Sequence, residues 1–246
     1  MEEWIAGKHA LLEALKAGRT INKIWIAEGA QRQAVQPVLD EAKAAGIAVQ
    51  FADKRKLDQL VPGVRHQGVI GQVAPVAYAE VDDILAAAEA KGEAPLVVLL
   101  DGIEDPHNFG SILRTAECTG VHGVIVPKRR SAGLTAAVAK VSAGAVEHVP
   151  VARVTNLART IDELKERGLW IAGAAGEAER DAYESDLTVP LALVIGNESK
   201  GIGRLIREKC DFLVRLPLRG RIRSLNAAVA AGVLMYEALR QRSYGR

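Results

Sequence analysis

The pattern of hydrophobic and polar positions differs between the N-terminal part of the chain and the rest. In residues 1–72, short apolar segments are separated by stretches with helical spacing, and glycines follow two of these stretches. The pattern predicts a compact α/β unit of about 70 residues, near the lower size limit for a self-supporting domain. The predicted helices span residues 8–16, 34–45 and a short segment capped by Asp53, and the predicted strands span residues 22–27, 48–52 and 67–73.

From residue 96 onward the apolar runs are unbroken, and helical segments fall between most of them. Strands that are apolar on both faces are typical of a parallel sheet covered by helices on both sides, so this region is predicted to have an α/β fold. The runs span residues 96–100, 123–126, 149–154, 169–174, 191–195 and 212–216.

The last helix has the clearest pattern. Its apolar residues follow i, i+3, i+4, i+7 spacing, which predicts one apolar face, and Ser224 stands where an N-cap residue would. The residues of this predicted face are Leu225, Ala228, Val229, Gly232, Val233, Tyr236 and Leu239.

An Ala-rich helical segment lies between Pro75 and Pro95 and separates the two patterns. Such a segment is typical of a connector between domains. The chain is therefore predicted to contain an N-terminal domain at residues 1–74, a linker at 75–94 and a C-terminal domain at 95–246.

The composition of the chain is that of a globular protein and not of a membrane or secreted one. Hydrophobic residues make up 49% and charged residues 25% of the chain, which is ordinary for globular proteins. No apolar stretch reaches the roughly 18–20 residues of a membrane span, and MEEWIAGKHALLEAL lacks a signal-peptide layout. With only two cysteines, Cys118 and Cys210, a cytoplasmic location with reduced thiols is expected.

Net charge neither requires nor excludes a nucleic-acid partner, because it is only +2. Basic residues cluster locally, at 128–130 and at Arg219, Arg221 and Arg223. Each cluster is either a solvated surface or a phosphate contact. Aromatic residues are only 4% of the chain, which argues against a stacking platform for single strands.

Several common active sites lack their signatures. No Gly-x-Gly-x-x-Gly follows a strand, so a nicotinamide-dependent oxidoreductase is disfavoured. Gly196 and Gly201 have the spacing of a phosphate-binding loop, but Ile202 and Gly203 follow instead of Lys and Ser or Thr. Histidines and cysteines lack metal-ligand spacing, and no metal is expected.

Polar loops follow three predicted strands, at residues 105–116, 193–203 and 215–228. The carboxyl edge of an open α/β sheet is where ligands bind, so we expect a pocket there. Taken singly, Asn108 or Ser224 could be a helix cap and Glu198 an exposed turn residue. Arg114 is harder to explain, because a guanidinium in a short apolar helix needs a partner or water.

Three stretches resemble the ordered motifs of the SpoU/TrmH family of S-adenosylmethionine-dependent RNA ribose 2′-O-methyltransferases. They are HNFGSILRTAECTGVHGVIVP, LVIGNESKG and LPLRGRIRSLNAAVAAG, and the resemblance covers about residues 96–242. The N-terminal unit and the segment 128–150 are similar to those of the bacterial 23S rRNA guanosine-2′-O-methyltransferase (RlmB) subgroup, where the N-terminal unit is the RNA substrate-binding domain.

The resemblance implies a fold and a set of site residues. The fold is an α/β knot, a deep trefoil of the SPOUT class, which no periodicity could indicate. The family often has Ser-Leu-Asn-Val-Ser in its third motif, whereas this chain has Ser-Leu-Asn-Ala-Ala, so Ala228 is assigned no role. The implied catalytic residues are Asn108, Arg114, Glu198, Ser224 and Asn226, and the implied cofactor-binding residues are Gly196, Leu216 and Leu225.

The activity expected from this resemblance is methyl transfer from S-adenosylmethionine to a ribose 2′-hydroxyl, in a guanosine of 23S rRNA. Arg114 is expected to hold a phosphate, to stabilise the forming alkoxide, or, with more difficulty, to act as a base. The alternatives are a tRNA ribose methyltransferase and an RNA-binding module that has lost catalysis.

A homodimer with shared active sites is expected as well, partly from the family and partly from the last helix. Small residues on several faces of that helix would let another helix approach closely. The alternative is close packing on its own sheet. The small residues are Ala227, Ala228, Ala230, Ala231 and Gly232.

Overall fold

A computed structural model describes residues 3–74, 76–222 and 224–245. The chain forms two compact units. The first comprises Met1–Ala77 and Gly133–His148, and the second comprises Tyr78–Ala132 and Val149–Arg246.

Seven helices and strands precede residue 75 within the described part of the chain. In chain order they are β1 (Glu3–Ala6), α1 (Lys8–Lys16), β2 (Ile21–Ala27), α2 (Arg32–Ala44), β3 (Val49–Ala52), α3 (Lys54–Leu60) and β4 (Val69–Val73).

The later elements belong to the second unit except for α6 and the one-turn 3₁₀ helix Ala145–Glu147. They are α4 (Val81–Lys91), β5 (Leu96–Asp101), α5 (Pro106–Cys118), β6 (Gly123–Pro127), α6 (Ala136–Val141), β7 (Val151–Val154), α7 (Leu157–Glu166), β8 (Trp170–Ala174), β9 (Arg180–Asp181), β10 (Leu191–Gly196), α8 (Arg204–Lys209), β11 (Phe212–Arg215) and α9 (Ala227–Tyr244).

The first unit is built on a mixed four-stranded sheet in the order β1-β4-β2-β3. Strand β3 is parallel to β2, whereas β4 is antiparallel to both β1 and β2. Successive residues of a strand point to opposite faces. Ile24 accordingly packs with Leu11 of α1 on one face, and Trp25 packs with Leu57 of α3 on the other. Both sides of the small sheet therefore have an apolar core.

Residues 133–148 complete the first unit through a buried ion pair. Arg19 Nη1 lies 2.6 Å from Glu147 Oε1, and both side chains are less than a tenth exposed. Arg19 also donates hydrogen bonds to the carbonyl oxygen of Ala74. A segment distant in sequence therefore supplies a carboxylate partner for Arg19.

The second unit has a parallel seven-stranded sheet in the order β7-β6-β5-β10-β8-β11-β9. The central strands β5 and β10 are neighbours with their carboxyl ends in register, so Gly196 pairs with Asp101. Leu99 and Val194 are completely buried in these strands, as the unbroken apolar runs predicted. The parallel α/β class expected from the sequence is confirmed.

The predicted linker contains a helix that packs in this second unit. Ile84 of α4 is fully buried with Val97 and Ile125. Pro75, at the start of the predicted linker, lies outside the described residues. The domain boundaries proposed from the sequence stay a prediction, and the compact units divide after Ala77.

Several helices and strands begin or end one to three residues from the predicted positions, and two strands were not predicted. The strand predicted at 67–73 begins at Val69, and the one predicted at 149–154 begins at Val151. The missed strands β1 and β9 have four and two residues, too few for a recognisable alternation. No helix in the described part of the chain is long and apolar enough to cross a membrane.

Replacing Glu147 by Gln should destabilise the first unit by about 2–3 kcal/mol, because the buried Arg19 guanidinium loses the negative charge of Glu147. Urea unfolding followed by tryptophan fluorescence measures this, since Trp4 and Trp25 both lie in this unit. The exposed Glu28→Gln variant is the control. An unchanged midpoint for Glu147→Gln would show that the ion pair contributes nothing.

Candidate active site

Side chains from the three polar loops meet at one carboxylate oxygen. Asn108 Nδ2 lies 2.5 Å from Glu198 Oε1, and Asn226 Nδ2 lies 3.3 Å from the same atom. The Ala227 backbone N–H also donates to it at 3.3 Å. Asn226 Nδ2 donates to Asn108 Oδ1 at 2.8 Å. Asn108, Glu198 and Asn226 thus form one hydrogen-bonded triad, as expected for residues at one sheet edge.

Asn226, and not Ser224, is the N-cap of α9. Its Oδ1 accepts hydrogen bonds from the backbone N–H groups of Ala228 and Val229 at 3.0 and 3.2 Å. The interpretation of Ser224 as a cap was therefore wrong. Asn serves better here because its amide has an oxygen for the helix and a nitrogen for the triad, whereas a serine hydroxyl is one small group.

Asn108 is not a helix cap either. Helix α5 is capped by Asp105, whose carboxylate accepts from the backbone N–H groups of His107 and Asn108 at 3.1 and 3.3 Å. Pro106 occupies the first helical position, where a missing N–H costs nothing. The side chain of Asn108 is consequently available for Glu198.

The loop after β10 is folded tightly against its own strand. The Gly201 N–H donates to the Asn197 carbonyl at 2.7 Å, and the Gly203 N–H donates to Asp101 Oδ2 at 2.7 Å. A Cβ placed on Gly196 would lie 2.2 Å from the carbonyl carbon of Gly201. Only glycine fits at position 196, and this contact fixes the backbone that carries Glu198.

A cavity of about 360 Å³ borders this loop, and we call it the cofactor cavity. The three residues predicted to hold the cofactor, Gly196, Leu216 and Leu225, all line it, and so does Ser224. Its walls combine apolar side chains with glycine backbone, as small-molecule sites of roughly 300–1,000 Å³ do. Such walls fit an adenosine moiety.

Charged groups stand at the rim of the cofactor cavity. Arg215 Nε donates to Asp181 Oδ1 at 2.6 Å, and this hydrogen bond together with the negative charge raises the pKa of Arg215. Arg207 pairs with Glu177 in the same rim. Arg215 therefore remains positively charged beside the cavity.

Arg114 does not join the triad of its own chain. It is exposed on α5 and, within the described part of the chain, has no hydrogen-bond or ion-pair partner. Six helical residues place it about 120° around the helix from Asn108, because each residue turns the chain by about 100°. The structure thus separates the two polar residues of the first motif.

An apolar groove of about 750 Å³ lies between α5 and α9. Val229 and Tyr236, from the apolar face predicted for the last helix, line it and are about half exposed. The buried face of α9 is a different one, formed by Ala231, Leu234, Met235 and Ala238. The prediction of a single apolar face was therefore incomplete, since α9 is apolar on two sides.

Sequence reasoning missed the supporting residues Asp101, Asp105 and Asn197. All three bind backbone groups, and Asn197 also accepts a hydrogen bond from the Ser199 hydroxyl. Their positions in the sequence could have indicated two of them, because Asp101 ends a buried strand and Asp105 precedes a proline. Of the basic loop residues, Arg223 lies outside the described part, and Arg219 and Arg221 are exposed.

Comparison with known proteins assigns the family. Residues 95–236 match the SpoU rRNA Methylase family, and residues 4–79 match the substrate-binding domain of RNA 2′-O ribose methyltransferases. The chain belongs to the SpoU/TrmH family and is an S-adenosylmethionine-dependent RNA 2′-O-methyltransferase with an N-terminal substrate-binding domain. Its second unit has the SPOUT fold by homology, and the knot implied by the resemblance belongs to that fold.

Relatives match over nearly the whole chain. YacO of Bacillus subtilis (strain 168), which carries the name of a TrmH family tRNA/rRNA methyltransferase, is 54% identical and the match covers 98% of this chain and 96% of YacO. The AviRb methyltransferase of Streptomyces viridochromogenes, solved with its cofactor AdoMet, is 27% identical, with a TM-score of 0.81 and coverage of 98% and 90%.

A second cofactor complex is also similar. The AdoMet-bound rRNA methyltransferase of Sinorhizobium meliloti is 25% identical, with a TM-score of 0.81 and coverage of 98% of this chain and 87% of that one. The cofactor of the present chain is accordingly S-adenosylmethionine. The roles of the individual site residues stay predictions.

Gly196→Ala should weaken binding of S-adenosylmethionine at least tenfold, about 1.4 kcal/mol, because the added methyl group forces the Asn197–Gly201 turn away from β10. Isothermal titration measures the affinity. Gly29→Ala is the control, since a Cβ there meets no atom within 4 Å. Equal affinities of Gly196→Ala and the wild type would contradict the role given to this close approach.

Proposed function

We propose that this protein methylates the ribose 2′-hydroxyl of a guanosine in 23S rRNA, as the RlmB subgroup does. The triad of Asn108, Glu198 and Asn226 carries the location of methyl transfer, because its Glu198 lines the cofactor cavity. The resemblance to the RlmB subgroup supports the choice of a 23S rRNA guanosine. The proposed location is the cytoplasm, where ribosomal RNA is made and modified.

Bound S-adenosylmethionine supplies an electrophilic methyl group on a sulfonium and needs no metal. Glu198 Oε1 accepts three hydrogen bonds, so this oxygen is already satisfied and serves to orient Asn108 and Asn226. Asn226 holds Asn108 in place, the second N–H of the Asn108 amide positions the ribose, and Ser224 at the cavity wall adds a hydroxyl. Positioning of this kind supplies much of a rate enhancement.

Arg114 has a separate part in this proposal. A guanidinium keeps its proton at neutral pH, so Arg114 stabilises the forming alkoxide or holds the adjacent phosphate more readily than it acts as a base. Since Arg114 is away from the triad of its own chain, this part requires that a second chain bring its Arg114 to the site.

A homodimer meets that requirement. The groove between α5 and α9 exposes Val229, Tyr236 and Tyr183, each about half accessible. Exposed apolar patches of this kind mark interaction surfaces. Arg114 lies one helical turn from Ser111, which lines the groove, so it borders the same surface. In a two-fold dimer the groove of one chain meets the groove of the other. Each Arg114 then approaches the active site of the other chain.

The N-terminal residues 1–74 are proposed as the RNA substrate-binding domain and residues 95–246 as the methyltransferase domain. The match of residues 4–79 to a substrate-binding domain supports the first assignment. A tRNA substrate is the alternative, because the relative YacO carries a name that includes both RNAs. The rRNA methyltransferase of Sinorhizobium meliloti favours rRNA.

Mapping of 2′-O-methylation on rRNA and tRNA from cells with and without the protein tests the substrate. One 23S rRNA guanosine should lose its methyl group in the deletion strain and regain it on complementation. Loss confined to a tRNA position would transfer the proposal to the alternative substrate, and no loss in either RNA would overturn it.

Mixing two inactive variants tests the shared site. Arg114→Ala and Asn226→Ala should each be nearly inactive, and subunit exchange should restore up to about a quarter of wild-type activity, because half of the dimers are mixed and each has one intact site. Methyl transfer to RNA is measured before and after exchange, and exchange is verified with tagged chains. No recovery would place Arg114 and Asn226 of one chain in the same site.

A further inference from the structure

A second cavity, of about 490 Å³, shares Asn197, Glu198, Lys200 and Gly201 with the cofactor cavity, and we call it the charged cavity. Asn108 and Glu198 of the triad line it. The rest of its wall comes from the loop after β5, from the 197–203 loop and from Arg130. Any group bound there would contact the triad directly while leaving the cofactor cavity occupied.

Two of the carboxylates in this cavity are already engaged. Asp101 accepts from the Gly203 N–H at 2.7 Å, and Asp105 accepts from the first N–H groups of α5. Both therefore hold the walls together. Glu104, Arg130 and Lys200 are exposed and have no hydrogen-bond or ion-pair partner within the described part of the chain. Besides the second oxygen of Glu198, one carboxylate and two cations are thus available for a ligand.

The backbone fixes Arg130 in the cavity wall. Arg130 has a φ of +56°, a left-handed conformation that is unfavourable for a residue with a side chain. The Ser131 hydroxyl donates to the Pro127 carbonyl, and the Ala132 N–H donates to the Ile103 carbonyl at 2.9 Å. These two bonds tie the turn to the loop that carries Glu104.

We propose, building on the function proposed above, that the charged cavity binds the acceptor nucleotide. Arg130 and Lys200 contact the phosphates on either side of it, because cations are the groups that hold RNA phosphates. Glu104 accepts hydrogen bonds from the base. A carboxylate repels phosphate, so its partner must be a hydrogen-bond donor of the nucleotide.

Guanine is the base that fits Glu104 best. Its Watson–Crick edge has two adjacent donors, N1–H and the N2 amino group, which match the two oxygens of a carboxylate. Adenine has an acceptor at N1, and uracil and cytosine each have acceptors beside their single donor group. With any other base, an acceptor lone pair of the base would face the lone pairs of the Glu104 carboxylate. Glu104 is therefore a specificity-determining residue for guanosine.

Two measurements with RNA as the probe test the phosphate contacts. An unmodified 23S rRNA transcript is titrated with Arg130→Ala and Lys200→Ala in a salt series. Each variant should bind more weakly, and the slope of log K against log [salt] should fall by about one phosphate contact. Arg129→Ala removes the same charge from the same turn outside the cavity and should keep the wild-type slope. Affinity for S-adenosylmethionine should be unchanged in Arg130→Ala and Arg129→Ala, whereas Lys200 also lines the cofactor cavity and its variant is judged by the salt slope alone.

A pair of ligated transcripts tests Glu104, with guanosine or inosine at the mapped position. Inosine keeps N1–H and lacks the N2 amino group. Wild-type protein and the exposed control Glu117→Gln should prefer guanosine by about tenfold in single-turnover methyl transfer, the range for losing part of a bidentate contact. Glu104→Gln should reduce this preference below about threefold.

The outcomes separate this proposal from the proposed function. A wild-type protein that leaves 23S rRNA unmethylated contradicts the proposed function. A wild-type protein that methylates the guanosine while Arg130→Ala and Lys200→Ala keep full affinity and salt slope overturns the phosphate contacts. Equal guanosine preference in Glu104→Gln and wild type overturns the assignment of Glu104.

Discussion

The carboxylate oxygen of Glu198 is the point on which the site depends. It accepts hydrogen bonds from Asn108, 90 residues earlier, and from Asn226, 28 residues later. Each of these residues lies where a helix begins, and neither side chain is placed by burial. An amide at a helix start has little to restrain it except its hydrogen bonds, so the shared acceptor aligns the three loops.

Rigid supports around this oxygen make the alignment possible. Gly196 lets the following turn fold back onto β10, which fixes Glu198. At the far end of α9, Arg242 donates to the carbonyls of Ala94, Pro95, Leu187 and Val189. Burial lowers the pKa of the Arg242 guanidinium, and the carbonyl dipoles satisfy its donors. Helix α9 is thus held at both ends, and Asn226 is presented from a fixed helix.

The sequence predicted the parallel sheet, the three loops and their meeting at one edge, because unbroken apolar runs and glycine-rich strand ends are local signals. It indicated Ser224 instead of Asn226 as the helix cap, because both residue types cap helices and only the hydrogen bonds accepted by the Asn226 amide oxygen decide between them. It also did not reveal that residues 133–148 pack in the first unit, since the Arg19–Glu147 pair joins positions 128 residues apart. The exposed face of α9 was predicted to be buried, because apolar spacing alone does not distinguish a buried helix face from an exposed one.

A double-mutant cycle between Asn108 and Glu198 tests the shared-acceptor account most directly. Single-turnover methyl transfer at saturating S-adenosylmethionine is measured for Asn108→Ala, Glu198→Ala and the double variant. If one hydrogen-bonded unit positions the substrate, the double variant should be no more than about threefold slower than the slower single variant. Losses that multiply, with a coupling energy near zero, would show that the two side chains act independently and would contradict the account.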